Sequence, residues 1–159
     1  MSPYRRTYLE AEIEDDVEIA ARSRVPVLIT APPDRAMSIA HDIALRAAQD
    51  DPSGFVDLQV CDTSAGDDVA AALDESRMKA LMGGGTTILL REVHMLSEVE
   101  QAEIMKLLDS RPSRPIDETP RIITTSSVSL FDRVQQGEFN EQLFHRLNVI
   151  HIMVPLNGG

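Results

Sequence analysis

The sequence predicts an α/β domain, with a mostly parallel five-stranded sheet and helices on both faces. Three observations carry that expectation. Strand-like and helix-like segments alternate along the chain. TTILLREV, Thr86 to Val93, is a nearly continuous apolar run of the kind shown by a strand buried on both faces. The 159 residues, 43% of them hydrophobic, suffice for one compact core and are short for two, so residues 1–159 are expected to form a single domain.

Each element has its own signal. Leu9 to Arg22 reads as a helix, with Leu9, Ile13, Val17 and Ala20 or Ala21 at helical spacing. Its acidic run, Glu10, Glu12, Glu14, Asp15, Asp16 and Glu18, reads as a solvated face of a helix (1–22) packed on the core. The first strand is Val25 to Thr30. Arg35 to Gln49 follows as a helix striped by Ala36, Ile39, Ala40, Ile43, Ala44 and Ala47. The turn DDPSG precedes a second strand, Phe55 to Cys61. Asp67 to Leu81 suits a helix closed by Gly83, Gly84 and Gly85. After the strand at Thr86 come a helix, Ser97 to Ser110, and a proline-rich connector, Ser110 to Pro120. The rest reads as strand Pro120 to Thr125, helix Leu130 to Gln136, helix Glu138 to Leu147 and strand Val149 to Val154.

Charge and composition exclude several roles. Lys+Arg 15 against Asp+Glu 26 gives a net charge of −11, the opposite of the basic face that phosphate-backbone contact needs, so direct DNA binding is not expected. The single Cys61 cannot form an internal disulfide. No apolar run approaches the roughly 20 residues that span a bilayer, and no signal segment opens the chain, so no membrane role and a cytoplasmic location are expected.

The turn after the first strand carries the most information. VPVLITAPPDRAMSIA, Val25 to Ala40, has the strand, turn and helix setting of the phosphate-binding loop G-x-x-x-x-G-K-S/T, without its residues. That loop uses glycines for positive φ, backbone N–H groups to cradle phosphates and a lysine for the outer ones. Here the positions hold Ala31, Pro32, Pro33, Asp34, Arg35 and Ala36. Prolines have no N–H to donate, and Asp34 places a negative charge where phosphate oxygens would lie.

The order of several segments resembles the AAA+ domain of sigma-54-dependent transcriptional activators. The likeness rests on GGTTILLREVHML (Gly84 to Leu96), Gln101, RIITTSS (Arg121 to Ser127) and VQQGEFNEQLFHRLNVIHIMVPL (Val134 to Leu156). It covers roughly Ala20 to Leu156 and implies a three-layer P-loop NTPase-like fold. It also implies functional positions, and these have changed. Where the family's Walker B strand ends in Asp-Glu, this chain has Arg91 and Glu92, reversing the charge at the metal position. Glu92 is expected to pair with Arg91 or another arginine. The sensor asparagine falls on Ser127, a residue able to hydrogen-bond or to cap the next helix. Of two arginines that reach a neighbouring subunit, the first falls on Asn140 and the second persists as Arg146, leaving both as possible subunit or partner contacts. The interval Cys61 to Gly84 holds nothing like the family's sigma-gripping GAFTGA loop. Residues 1–159 are expected to contain neither the family's lid nor its DNA-binding helix-turn-helix.

Other constellations are weaker. His41, His94, His145 and His151 lack metal-ligand spacing, Cys61 reads as a small buried apolar residue, and Ser126 and Ser127 show no His or acid partner along the chain. Met78, Met82, Met95 and Met105 read as interior gap fillers. The resulting expectation is a catalytically inactive AAA+ module, with no cofactor and no metal, that contacts a protein of transcription control or signalling as a monomer or small oligomer rather than a hexameric ring. Two alternatives stay open. One is metal-independent nucleotide or anion binding through Arg35 and Arg91; the other is an ATPase completed by a partner subunit.

Overall fold

The computed structural model describes residues 3–50, 57–81, 86–109 and 120–155, with side chains from residue 12 onward, Asp50 and Asp57 excepted. The chain runs α1 (Pro3–Arg22), β1 (Val27–Thr30), α2 (Pro33–Asp50), β2 (Asp57–Asp62), α3 (Val69–Leu81), β3 (Thr86–Arg91), α4 (Glu98–Asp109), β4 (Arg121–Ser126), α5 (Leu130–Gln135), α6 (Glu141–Leu147) and β5 (Ile150–Met153). Short 3-10 turns at Thr63–Ala65 and Val93–Met95 follow β2 and β3. The five strands are all parallel, in the order β2-β3-β4-β1-β5, as the α/β expectation required.

Alternation along the strands divides the core into two layers. Leu28, Ile88, Leu90 and Ile122 face one side, where they pack with Leu73 of α3, Ile104 and Leu107 of α4, and Leu143, Phe144 and Leu147 of α6. Val27, Ile29, Leu89, Ile123 and Ile152 face the other, against Val17 and Ala20 of α1 and Ile39, Ala40 and Ile43 of α2. Both sides of β1, β3 and β4 are therefore closed, which explains their unbroken apolar runs. Arg121 opens β4 on the α1 side, buried, and its Nη2 donates to the Ala20 carbonyl.

The two helical layers are staggered. Val60, on the α1–α2 side of β2, is exposed, while Met153, on the α3–α6 side of β5, is exposed at the opposite edge of the sheet. Each layer thus leaves one edge strand partly bare.

Several boundaries differ from the sequence reading. α1 begins at Pro3 rather than Leu9, and α2 at Pro33 rather than Arg35. Proline suits the first helical position, where no intrahelical N–H bond is lost. The predicted helix from Asp67 starts at Val69, after Gly66 at φ 82 closes the Thr63–Ala65 turn. The apolar run from Thr86 leaves the sheet at Arg91, two residues early, because Glu92 adopts left-handed φ 57, ψ 51. The helix expected from Glu138 starts at Glu141, with Asn140 as its cap accepting from the Leu143 amide at 2.9 Å. Met78 and Met95 are exposed rather than interior, and Met105 alone of the four packs against the core among the described residues. Asp50, read as the first residue of the DDPSG turn, ends α2, while the rest of that turn, the glycine triplet, Met82, the Ser110–Pro120 connector up to 119 and the residues after Pro155 lie outside the described residues.

Candidate functional site

In an open parallel sheet, ligands bind beyond the carboxyl ends of the strands, and the residues singled out in the sequence gather there. The Ala31 amide donates to the Ser126 carbonyl at 3.1 Å, tying the turn after β1 to the end of β4. Ala36 N–H is taken by the Pro32 carbonyl at 2.9 Å. Pro32 and Pro33 have no N–H and that of Ala36 is taken, so three of the positions that open α2 offer an anion no donor. The Asp34 carboxylate lies in the same first turn, where it complements the helix dipole itself. Arg35 lines a cleft between α1 and α2 with Glu14 and Asp42.

Arg91 takes a different direction. Its Nη1 lies 3.3 Å from Asp62 Oδ2, so the guanidinium spans the ends of β3 and β2. The Asp62 carboxyl is held below its ordinary range, first by the Ser64 hydroxyl, which donates to Oδ1 at 2.6 Å, and then by Arg91. Arg35 and Arg91, offered together as an anion pair, are thus engaged separately, Arg35 in the α1–α2 cleft and Arg91 at the end of β2.

Glu92 does not pair with Arg91 as expected. Ser127 Oγ donates to Glu92 Oε2 at 2.6 Å, and His94 Nε2 lies 3.6 Å from the same oxygen. Ser127 therefore leaves the following helix to Ser129, whose hydroxyl accepts from the Asp132 amide at 3.2 Å. Thr125 Oγ1 accepts from the Glu92 amide at 3.3 Å, and Thr63 Oγ1 donates to the Arg91 carbonyl at 2.8 Å. Side-chain and backbone bonds from three strand ends fix Glu92 in a left-handed conformation that costs a non-glycine residue about 1–2 kcal/mol.

The sequence offered Ser126 no partner; the structure supplies His94. Ser126 Oγ sits 3.2 Å from His94 Nδ1, completing a Ser126–His94–Glu92 row. This row is not a hydrolytic triad. Ser126 is fully buried and its single hydroxyl proton is directed to the Val128 carbonyl at 2.7 Å, so it has neither access nor a proton to give to His94. Burial pushes the His94 pKa down, opposing Glu92, which raises it; Arg133 adds to the lowering. These partners follow from β3 and β4 lying side by side, with Leu90 level with Thr124, a pairing that periodicity along the chain does not encode.

The remaining positions lie outside this cluster. Cys61 is buried and its thiol is pushed up to about 11, mainly by burial and then by Asp67, which makes a thiolate nucleophile unavailable. Arg146 pairs with Asp109 at 2.7 Å on the surface, and Asn140 caps α6 while its amide donates to the buried Gln101 side chain at 2.9 Å. Among the described residues no group of His, Cys, Asp and Glu could hold a metal ion. No described helix is long and apolar enough to cross a membrane.

Comparison with known proteins agrees with this architecture. The Sigma-54 interaction domain family matches residues 6–156. The nitrogen fixation protein AnfA of Azotobacter vinelandii is 40% identical over 77 residues, 45% of this chain and 14% of its own length. The regulator NtrC of Escherichia coli is 38% identical over 77 residues, 45% of this chain and 16% of its own. The match thus takes up less than a fifth of each of these relatives. Among solved structures, NtrX of Brucella abortus with ATP superposes with a TM-score of 0.64 at 20% identity, over 92% of this chain and 37% of that one. The P-loop NTPase domain of a sigma-54 transport activator from E. coli gives 0.59 at 16% identity, over 89% and 98%.

Proposed function

The chain belongs to the Sigma-54 interaction domain family, and from that premise we propose that it is a member without ATP chemistry, retained as a protein-contact module in bacterial transcription control or signalling. The observation that carries the reading is the Arg91–Asp62 pair. A metal-nucleotide site at the end of β3 needs one carboxylate for Mg²⁺ and a second to polarise water. Arg91 brings a positive charge to the first position and neutralises the neighbouring Asp62. Two like charges about 4 Å apart repel by roughly 4 kcal/mol at an effective dielectric near 20, which disfavours a divalent cation there. Glu92, at the second position, is already engaged by Ser127 and His94.

The β1–α2 turn supports the same reading, because two of its N–H groups are replaced by prolines and Asp34 already occupies the anion-favouring helix end. Metal-independent anion binding loses support, since Arg91 is paired with Asp62 and Arg35 lines a cleft that also carries the carboxylates of Glu14 and Asp42. The module is proposed to work in the cytoplasm without binding DNA itself, as a monomer or small oligomer. Phosphate release from Mg-ATP tests it. The expected rate equals the buffer blank, also when a full-length relative from the same host is added; release that saturates with ATP and is lost in Glu92→Gln overturns the proposal.

A further inference from the structure

The stagger of the helical layers leaves a cavity that the nucleotide-side reading does not use. It has a volume of about 340 Å³ and lies over the α3–α6 side of β1 and β5. Leu28 and Thr30 form its floor with His151 and Met153, which stand level with them on the neighbouring strand. Phe131 and Phe144 form the wall, their rings 6.3 Å apart and tilted by 54°. Leu28 belongs to the core layer of α3–α6, whereas Ala31 and Ala36 of the β1–α2 turn belong to the opposite layer. The cavity is therefore separated by the sheet from the side on which α2 packs.

Its chemistry is apolar with one polar point. Thr30 Oγ1 and His151 Nε2 are 2.8 Å apart, and Thr30 is buried. His151 is exposed, and partial desolvation of its ring lowers the pKa, so the imidazole is neutral at pH 7. Either tautomer leaves one donor over. If Thr30 donates to Nε2, the Nδ1–H stays unused by this pair; if Nε2–H donates to Thr30, the threonine proton does. Phe131 is 55% exposed and Met153 62%, so a ligand would cover apolar surface that water now meets. Ligand pockets run from about 300 Å³ upward and combine apolar walls with a few polar groups, and this cavity falls at the small end.

We propose that the cavity between β1, β5, α5 and α6 is a binding site for a small, uncharged one- or two-ring aromatic molecule that carries a hydrogen-bond acceptor. The rings stack against Phe131 and Met153, and the acceptor takes the donor left over by Thr30 and His151. The site is independent of the nucleotide question, so its failure leaves the preceding reading intact.

Quinoline and naphthalene share a shape and differ in one ring nitrogen, which makes them a matched pair of probes. Backbone amide spectra of the 159-residue chain are recorded while each is titrated at pH 7.5. Saturable shifts at Leu28 to Thr30, Ser129 to Phe131 and His151 to Met153 are expected for quinoline, with affinity about five-fold above naphthalene. The double variant Thr30→Val with His151→Phe, which removes the donor in either tautomer, is expected to abolish that preference, and Phe131→Ala, at a position 55% exposed, to weaken both probes. Shifts confined to other residues, no saturable shift, equal affinity of the two probes, or binding unchanged by Phe131→Ala overturns the proposal.

Discussion

Ser127 Oγ donates to Glu92 Oε2 at 2.6 Å, joining the first residue beyond β4 to the first residue beyond β3. A hydrogen bond to a charged acceptor is worth about 1.5–3 kcal/mol where it is screened from water. Glu92 has a side chain 13% exposed, so the lower end applies. Ser127→Ala is expected to lower unfolding stability by about 1–2 kcal/mol in a urea titration, and Ser127→Thr to restore most of it. Equal stability of all three proteins would show that the bond is dispensable.

Glu92 also carries backbone strain, at φ 57. Glycine is free of the Cβ clash there, whereas alanine retains it. Glu92→Gly is expected to be about 1 kcal/mol more stable than Glu92→Ala, although both lose the bonds to Ser127 and His94. The reverse order, which is the normal one in a regular strand or helix, would contradict the left-handed assignment.

His94 makes stability depend on pH in a defined direction. Its folded pKa lies below the ordinary value of about 6.5, so the unfolded chain binds the proton first as pH falls. Its contribution to stability is complete above about pH 6.5 and is lost as pH drops through that value toward the folded one. His151 acts in the same sense. The lowered Asp62 acts below the carboxylate range, outside this window. Urea midpoints at pH 7.5 and 5.5 are expected to differ more in the wild type than in His94→Asn. An unchanged pH dependence in the variant would remove His94 from the account.

Arg91–Asp62 and Arg146–Asp109 look alike as ion pairs but differ in setting. The first pair has side chains 25% and 21% exposed, the second 40% and 61%. Surface pairs contribute about 0–1 kcal/mol and weaken with salt. Arg146→Ala is expected to change stability by less than about 0.5 kcal/mol, which leaves this variant suitable for partner-binding studies. Arg91→Ala is expected to cost about 1 kcal/mol, less in 1 M NaCl. A larger loss for Arg146→Ala than for Arg91→Ala would contradict the burial difference.

Much of the fold was legible because its signals are local. The runs at Val27–Thr30, Thr86–Arg91 and Arg121–Ser126 are apolar or uncharged over most of their length because both of their faces are covered. The site was less legible because its contacts are not local. His94 meets Ser126 only because β3 and β4 are neighbours, and Glu92 meets Ser127 for the same reason. Arg91 looked like a partner for the adjacent Glu92, yet Asp62 stands level with it on β2 while Glu92 turns out of the strand in the left-handed conformation. Asn140 did carry a readable signal, a cap residue before an apolar helix, and the earlier start at Glu138 passed over it.

The central claim is that the carboxyl edge of this sheet no longer accepts a metal-nucleotide. Thermal unfolding of the 159-residue chain with and without saturating Mg-ATP tests it most directly. A ligand at 100 times its Kd would stabilise the fold by about 2.7 kcal/mol and raise the Tm by roughly 5–10 °C in a domain of this size. The expected result is a Tm unchanged within 1 °C, roughly the scatter of such scans, for ATP and ADP up to millimolar concentration. A saturable, magnesium-dependent rise that disappears in Glu92→Gln would contradict the claim.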